Sequence, residues 1–430
     1  MRSLITAAVI AAASAASAAT WSLDSCVSYA IEHNIEVKQQ LLSAYEGELG
    51  VNEAKDRFLP SVSAYASESF NFGRGLTADN TYAHRNTQSF SVGAQMSLPL
   101  FQGLRAVRGL AYSRTQLRAL LEQAEATKDN VTLNVIGQYL QALYAREMLA
   151  VARERLAISQ GELARRRELL DAGKIPELDI HSAIAQVSQD ELSVVNAEND
   201  SAIALLDLSQ LLNLPTADGF DIEPLPDSEM PLLAPDEVFT NAMRNNHGIK
   251  AGRLAEEAAD RNVAVAKSGW LPTLSFSAGL GTNYYKTSGL ENAGFGSQMR
   301  HNFAQSIGFS LNVPIFDAFG TRNSVRRARA QQTSAALQLE NSRNALYKAI
   351  NQAYTQAVAA HKKQDAAARS VESTRAAFDA MKVKYDNGRA NATEFEKAKS
   401  DYTASLSEAV QARYEAMLRA RILNFYNKAD

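Results

Sequence analysis

An internal duplication covers almost the whole of the 430-residue sequence. Four short segments recur in the same order, each 212 or 215 residues further along the chain. Two copies of about 210 residues therefore account for nearly everything after the first twenty residues, and each copy is expected to fold into the same kind of unit. The recurring segments are 30–38 (AIEHNIEVK) with 242–250 (AMRNNHGIK), 58–63 (FLPSVS) with 270–275 (WLPTLS), 97–101 (SLPLF) with 312–316 (NVPIF), and 170–174 (LDAGK) with 385–389 (YDNGR).

The proline positions predict long uninterrupted helices in both copies. None of the ten prolines falls inside the long stretches of mixed polar and apolar residues, where it would remove a backbone hydrogen bond and clash with the preceding turn. The central helix of each copy would be roughly 100 Å long and the two others roughly 50–55 Å, which favours antiparallel helical hairpins. The predicted ranges are about 24–57, 103–170 and 177–213 in the first copy and about 236–268, 320–385 and 392–428 in the second.

The apolar stripes on these helices do not decide the architecture. Leu133, Ile136 and Leu140 recur at helical spacing, and a second stripe that includes Val135 and Tyr139 widens the face. A narrow seam is typical of a dimeric coiled coil, whereas a wide face on an alanine-rich helix allows packing on two sides, as in a barrel of helices. A soluble helical bundle would explain the stripes equally well.

Two predicted hairpins, at about 61–101 and 273–316, alternate between apolar and polar residues. Alternation over about ten residues is the length and pattern of a transmembrane β-strand. The polar faces carry small, almost uncharged side chains that suit a water-filled lumen, although an amphipathic sheet covering a soluble core is the alternative. The prolines expected at the strand–helix junctions are Pro60, Pro99, Pro272 and Pro314. The side chains expected to face lipid are Phe90, Val92, Met96, Leu98, Ile307, Phe309, Leu311 and Val313.

Four strands are too few to close a membrane barrel on their own. The smallest transmembrane barrels have about eight strands, and an open sheet edge is not tolerated in lipid. If these strands span a membrane, several copies of the chain must share the barrel, and a cyclic ring is the simplest symmetry for such an assembly.

The first eighteen residues predict a signal peptide. Arg2 is followed by an apolar stretch, and Ala16, Ser17 and Ala18 match the small-residue pattern at which signal peptidase cleaves. The first repeat is then expected over 19–235, ending in a proline-rich linker at 214–235, and the second repeat over 236–430.

Composition and motifs argue against several other classes of protein. A net charge of −3 lacks the basic excess of a nucleic-acid-binding protein. The single cysteine, Cys26, excludes a disulfide framework. The six histidines show no pair at metal-ligand spacing on a helix, and no phosphate-binding loop or nucleophile elbow is present. We therefore expect no enzymatic activity, no catalytic residue, no resident metal and no cofactor.

The ordered set of these features resembles the TolC-like outer membrane efflux proteins over essentially the whole chain after the signal peptide. The resemblance rests on the duplicated helix–hairpin–helix unit, on LPLFQG and VPIFDAFG at the strand–helix junctions, and on the Asp-x-Gly turns. It implies a mainly helical fold in which duplicated helical hairpins form an α-barrel tunnel and four strands per chain complete a 12-stranded β-barrel in a homotrimer. It also implies an outer membrane location with a periplasmic extension, passive conduction of exported substrates, and docking to a periplasmic adaptor (membrane fusion protein) and an inner-membrane pump of the resistance-nodulation-division or ABC type.

The same resemblance assigns roles to two turns, at 171–176 and 386–391. These turns look like the periplasmic tips that contact the adaptor, and the acidic residues just beyond them, Asp179 and Glu394, look like the residues that narrow the entrance. Either acid is explained equally well as a solvated residue that favours a helix N-terminus. Arg165, Arg166 and Arg167 near the first turn either pair with acids of a partner or form a solvated face. The expected adaptor-contact residues are Asp171, Gly173, Lys174, Asp386, Gly388 and Arg389.

A protein of another class also fits part of the sequence, namely a soluble periplasmic coiled-coil adaptor or scaffold with no channel. Adaptors carry one helical hairpin and mostly β-rich flanking domains, whereas this chain carries two helical repeats that are each interrupted by an alternating hairpin. The two functions differ in location, because a scaffold stays in the periplasmic extract and a channel is extracted with the outer membrane.

Overall fold

The computed structural model describes residues 20–76, 80–216, 219–226 and 233–427, so the predicted signal peptide lies outside the described residues. The chain divides into two compact units. Unit 1 comprises Met1–Leu42, Glu122–Lys250 and Asn341–Asp430, and unit 2 comprises Ser43–Leu121 and Ala251–Glu340. Over the described ranges, no helix combines the length and the apolar character needed to cross a membrane.

The two copies fold into matching series of elements. The longest helices have 67 residues in each copy, and the helices that follow them have 35 residues in each. In the first copy the elements are β1 (Thr20–Trp21), α1 (Leu23–His33), α2 (Ile35–Asp56), β2 (Ser61–Asn71), β3 (Arg74–Leu76), β4 (Tyr82–His84), β5 (Thr87–Gln102), α3 (Arg105–Asp171) and α4 (Glu177–Leu211). The linker contains β6 (Asp221–Ile222), and the second copy contains α5 (Pro235–Asn245), α6 (His247–Lys267), β7 (Thr273–Thr287), α7 (Phe295–His301), β8 (Ala304–Asn312), α8 (Gly320–Asp386) and α9 (Ala392–Tyr426).

The first helix of each copy is broken in two, so the single helices predicted at about 24–57 and 236–268 were wrong. Asn34 and Asn246 are extended, with ψ angles of 135° and 119°, and each ends one helix and caps the next. The Asn34 side chain accepts a hydrogen bond from the backbone nitrogen of Glu36 at 2.8 Å, and that of Asn246 accepts one from Ile249 at 3.0 Å. An asparagine that replaces the lost helical partners in this way makes the break stable.

Unit 2 contains a four-stranded antiparallel sheet with the strand order β2-β5-β7-β8. The register gathers the apolar residues of all four strands on one face: Val62 lies opposite Met96, Met96 opposite Ala278, and Ala278 opposite Ile307. The opposite face carries the small polar residues, for example Ser63 opposite Gln95. The predicted alternation is therefore confirmed as a sheet with one apolar and one polar face.

Two of the predicted strand boundaries were wrong. Pro99 lies within β5, which continues to Gln102 after a shift of register between Pro99 and Phe101. Val313 follows the last residue of β8, because Pro314 has no backbone N–H for the ladder and restricts the residue before it. Pro60 and Pro272 directly precede β2 and β7 as predicted.

The core of unit 1 closes around Tyr139 of α3, which is fully buried. Its hydroxyl lies 2.9 Å from the carbonyl oxygen of Trp21 and 2.7 Å from that of Glu223. Because β1 and β6 are a parallel pair, this hydroxyl fixes the start of the described chain and the linker to the same helix. Arg146, two turns further along α3, binds β6 through Asp221 at 3.0 Å and the carbonyl of Ile222 at 2.9 Å.

We expect Tyr139→Phe to lower the free energy of unfolding by about 1–3 kcal/mol, because a buried carbonyl loses its donor. Burial raises the pKa of Tyr139 to about 12, so this contribution is complete below pH 10 and is lost as the pH rises towards 12. Denaturant titration followed by circular dichroism measures the loss. Tyr144→Phe on the same helix is the control, and an equal loss there would assign the effect to α3 in general.

Candidate functional site

Both predicted tip turns have the same backbone structure. After α3, the backbone nitrogen of Lys174 donates to the carbonyl of Leu169 at 2.8 Å, and after α8 that of Arg389 donates to Lys384 at 2.8 Å. Gly173 and Gly388 supply the left-handed conformation between them, with φ angles of 68° and 69°. This is the glycine-dependent helix end in which the last carbonyls are satisfied by the turn. The turn side chains Asp171, Lys174, Asp386 and Arg389 are exposed.

Asp179 and Glu394 both lie in the first turn of a helix, but in different surroundings. Glu394 is exposed and forms a reciprocal capping box with Asn391, through two hydrogen bonds of 2.9 Å. Asp179 is half-buried, and its backbone carbonyl accepts hydrogen bonds from Arg166 and Ser182. The capping contact explains the identity of Glu394 on structural grounds, whereas the described contacts of Asp179 use only its backbone.

Arg165 joins the two repeats beside these turns. Its guanidinium forms an ion pair with Asp386 at 3.0 Å and donates to the carbonyl of Tyr385 at 3.1 Å. It also lies 4.6 Å from the centre of the Tyr385 ring. The end of α8 is thus held against α3 by contacts between residues 220 positions apart in the sequence.

A buried group beneath Arg165 strengthens this junction. The Tyr385 hydroxyl donates to Glu162 at 2.5 Å, and Glu162 also accepts from Arg166 at 2.8 Å. Burial, together with the hydrogen bond to Glu162, raises the pKa of Tyr385. Burial alone would lower the pKa of Arg166, but the bond to Glu162 reverses this and the pKa is raised. With both pKa values raised, the Arg166 guanidinium stays charged and the Tyr385 hydroxyl stays protonated at neutral pH.

The arginine run was only partly predicted. Arg165 and Arg166 have acidic partners, but these partners lie within the same chain. The cluster of Arg165, Arg166, Glu162, Tyr385 and Asp386 is called here the tip junction. A repeat asymmetry could have indicated it, because Tyr385 stands where the first copy has Leu170.

Further from the turns, a second polar group lies fully inside unit 1. Asp190 of α4 is 0% exposed and Lys399 of α9 is 1% exposed. Asp190 accepts from Ser159 and forms an ion pair with Arg155 of α3 at 2.9 Å. Lys399 donates to Ser159 at 2.9 Å and pairs with Glu396 at 2.6 Å. This buried ion group connects three helices that belong to both repeats, and no local sequence pattern predicts it.

The polar face of the sheet in unit 2 is the remaining candidate surface. Serine is its most frequent residue, and the Tyr65 side chain of β2 lies across Gly93 of β5 and reaches towards Gly281 of β7. A Cβ atom on Gly93 would lie 2.9 Å from the Tyr65 hydroxyl and 2.7 Å from the carbonyl oxygen of Leu280. Glycine is therefore required at position 93. The face as a whole is polar and nearly free of charge.

The predicted lipid-facing residues occupy the opposite face or its continuation. Phe90, Val92, Met96 and Leu98 lie in β5, and Ile307, Phe309 and Leu311 lie in β8. The β8 side chains are strongly exposed, at 75%, 69% and 65%. A row of large exposed apolar side chains marks an interaction with lipid or another protein.

Among the residues that the structure describes, no group of three or more His, Cys, Asp or Glu side chains is arranged to hold a metal ion. The polar clusters described in unit 1 consist of ion pairs and hydrogen bonds between helices. Their contacts join α3 to α4, α8 and α9, which is the geometry of structural joints.

Comparison with known proteins agrees with this geometry. The sequence profile of the family described as "Outer membrane efflux protein" matches residues 27–214 and 238–423, one segment in each repeat. The outer membrane efflux protein BepC of Brucella suis is 24% identical over 380 residues, which cover 86% of this chain and 77% of BepC. The outer membrane protein TolC of Escherichia coli is 23% identical over 380 residues, which cover 86% of this chain and 74% of TolC.

Solved structures show the same fold. The CmeC outer membrane channel of Campylobacter jejuni superposes with a TM-score of 0.80 at 16% identity, covering 94% of this chain and 85% of CmeC. BepC and TolC are outer membrane proteins, and CmeC is an outer membrane channel. Since the profile matches most of the chain in two segments that coincide with the duplication, this protein belongs to the outer membrane efflux protein family.

Proposed function

We propose that three copies of this chain form one outer membrane channel-tunnel, the passive exit duct of an efflux or secretion system. Each copy contributes four strands to a shared 12-stranded barrel, and the long helices continue it as a tunnel into the periplasm. A periplasmic adaptor and an inner-membrane pump dock at the end that carries the two turns. The single observation that carries the proposal is the sheet of unit 2, apolar on one face and polar on the other.

The number of copies is supported by the size of the lumen. Two copies would supply eight strands, and the interior of a barrel of about eight strands is filled by its own side chains. Three copies supply twelve strands and leave an aqueous passage lined by the serine-rich face. Within the described part of the chain, β2 and β8 are the edge strands of this sheet, and neighbouring copies would satisfy them.

The entrance of this tunnel lies at the two turns. Asp179 and Glu394 of three copies would form rings of carboxylates that attract cations. The tip junction holds α8 against α3, so an outward movement of α8 that widens the entrance has to break the contacts of Arg165 and Tyr385. Docking of an adaptor on the exposed turn side chains would supply the free energy for that movement.

Single-channel recording in planar bilayers tests the proposal. The purified protein should conduct, and Asp179→Asn combined with Glu394→Gln should reduce its preference for cations, because both changes remove charge. Gln at position 394 retains the capping contact. Glu372→Gln combined with Glu408→Gln is the control for lost charge elsewhere on α8 and α9. A protein that extracts with the periplasm and never conducts would be a soluble scaffold instead.

We expect the tip junction to restrain the opening of the channel entrance, and conductance measures this. Arg165→Gln combined with Tyr385→Phe removes a charged and a neutral contact to α8, and hydrogen bonds to charged groups contribute about 1.5–3 kcal/mol each. If only about 1.4 kcal/mol of this loss separates the closed from the open state, the ratio of open to closed channels changes about tenfold. We therefore expect the mean conductance of the isolated channel to rise about tenfold or more. An unchanged conductance would show that the tip junction does not restrain the entrance.

A further inference from the structure

The segments that lead from the sheet of unit 2 into the two long helices are rich in arginine and have almost no acidic residues nearby in sequence. Residues 103–121 contain four arginines and no Asp or Glu, and residues 318–339 again contain four arginines and no Asp or Glu. The whole chain, in contrast, has 44 basic and 47 acidic residues. The local charge excess is therefore a property of this junction, and it occurs in both repeats.

The arginines closest to the sheet lie within the first two turns of α3 and α8. At 1.5 Å per residue they are within about 10 Å of the helix starts. We call Arg105, Arg108, Arg322, Arg326 and Arg327 the arginine collar. Arg108 is half-buried and the other four are exposed. Among the described residues, no acidic side chain forms an ion pair with any of the five.

Packing within unit 2 brings the starts of the two helices that carry the collar to one junction. Arg108 donates to the carbonyl of Ala264 and to the Ser268 hydroxyl, both at 3.1 Å, which ties α3 to the turn before β7. A Cβ atom on Gly269 in that turn would lie 2.8 Å from the Thr321 hydroxyl of α8. A Cβ atom on Gly103 would lie 2.7 Å from Cβ of Leu271. The starts of α3 and α8 therefore meet at the turn that carries Trp270.

Large apolar side chains lie between the collar and the strands. Ile315 is 95% exposed, Phe316 is 74% exposed and Trp270 is 53% exposed. A chain that leaves the hydrocarbon core and enters the headgroup layer typically exposes aromatic and aliphatic side chains first and arginines next. The same order is found here. Asp317 is the one acidic residue between β8 and α8, and its carboxylate accepts a hydrogen bond from the backbone nitrogen of Thr321 at 2.6 Å.

We propose that the arginine collar binds the phosphate groups of anionic phospholipids in the periplasmic leaflet of the outer membrane. The proposal rests on the channel function above, which places the sheet across that membrane. The headgroup layer is about 5–8 Å thick on each side of the core, so the collar lies in it or within one Debye length of it. A basic residue near an anionic surface contributes about fivefold to the local concentration of anionic lipid, the ratio that about 1 kcal/mol gives.

Fluorescence quenching of Trp270 by brominated lipid tests the collar. The chain has two tryptophans, so a Trp21→Phe background leaves Trp270 as the only indole. The full-length protein is reconstituted in vesicles of phosphatidylcholine and phosphatidylglycerol. In one sample part of the phosphatidylcholine is brominated, and in the other the same amount of phosphatidylglycerol is brominated instead. We expect stronger quenching by brominated phosphatidylglycerol, equivalent to about fivefold enrichment. Salt at 1 M should abolish the preference, because the Debye length falls to about 3 Å.

Two matched variants each remove three positive charges from α8. One removes them next to the sheet, and the other removes them further along the helix. Arg322→Gln/Arg326→Gln/Arg327→Gln should bring the ratio of the two quenching signals close to one. Lys348→Gln/Lys362→Gln/Arg369→Gln should leave it as in the parent. If the first variant does not assemble, the salt dependence of the lipid preference of the parent protein decides whether the collar binds anionic lipid.

Three results would overturn the collar as a lipid site: equal quenching by both lipids in the parent, a preference insensitive to salt, or an equal loss in both variants. If the arginines instead bind acids of a neighbouring copy, the first variant dissociates and the parent shows no lipid preference. Channel conductance is recorded on the same preparations, because a conducting protein without lipid preference contradicts the collar alone. A protein that does not conduct contradicts the proposed function.

Discussion

Asp190→Leu lowers the free energy of unfolding by about 3–5 kcal/mol, the range observed when one partner of a buried ion pair is removed. Asp190 accepts hydrogen bonds from Ser159 and Gln186 and faces two cations, Arg155 at 2.9 Å and Lys399 at 3.9 Å. Without it, the Lys399 ammonium stays 1% exposed in unit 1 and keeps Glu396 as its only acidic partner among the described residues. Chemical denaturation in detergent, followed by the circular dichroism of the helices, measures the loss.

The double variant separates the missing partner from the changed shape. Asp190→Leu combined with Lys399→Met removes both charges, and an apolar replacement of a buried ion pair is often neutral or stabilising. We therefore expect the double variant to regain most of the lost stability. If both variants are equally unstable, the stability at this point depends on the hydrogen bonds of Ser159 rather than on charge.

Phe309→Arg should prevent the appearance of an assembled protein in the outer membrane. Phe309 is 69% exposed near the middle of β8 and lies on the face that carries Phe276 and Leu311. An arginine on the lipid face of a transmembrane strand costs about 2–4 kcal/mol at the bilayer midplane, and three copies would bear it together. Membrane fractionation followed by a gel that preserves oligomers measures assembled protein.

The neighbouring residue provides the control for this substitution. Ser310 lies on the same strand but on the polar face, opposite Ser275, so Ser310→Arg places the same charge in the proposed lumen. We expect assembly of that variant with altered ion selectivity. Equal tolerance of both substitutions would contradict a membrane-spanning sheet.

The features that depend on sequence period were predictable. The duplication predicted matching helices, and α3 and α8 indeed have 67 residues each. The alternation of β5 and β8 predicted which residues share a face, since the side chains of a strand alternate whatever its partner. The mainly helical fold and the outer membrane family followed from the order of these segments.

The features that depend on contacts between the repeats were not predictable. Arg165 and Asp386 are more than 200 residues apart, and nothing local in either segment indicates that they pair. Lys399 and Asp190 read as surface residues of amphipathic helices, and only the packing of three helices buries them. The breaks at Asn34 and Asn246 were missed because asparagine also occurs within helices at a modest cost.

Disulfide cross-linking between the outer edges of β2 and β8 tests most directly that several copies share one wall. In a Cys26→Ser background, cysteines replace Ser63 or Ser67 of β2 in combination with Ser306 or Ser310 of β8, and outer membranes are oxidised before denaturing electrophoresis. At least one pair should come within the Cβ separation of about 3.5–4.5 Å that a disulfide needs. Our account predicts covalent dimers and trimers with no larger species. A monomer that cross-links only within its own chain, or a ladder that extends beyond three copies, would contradict it.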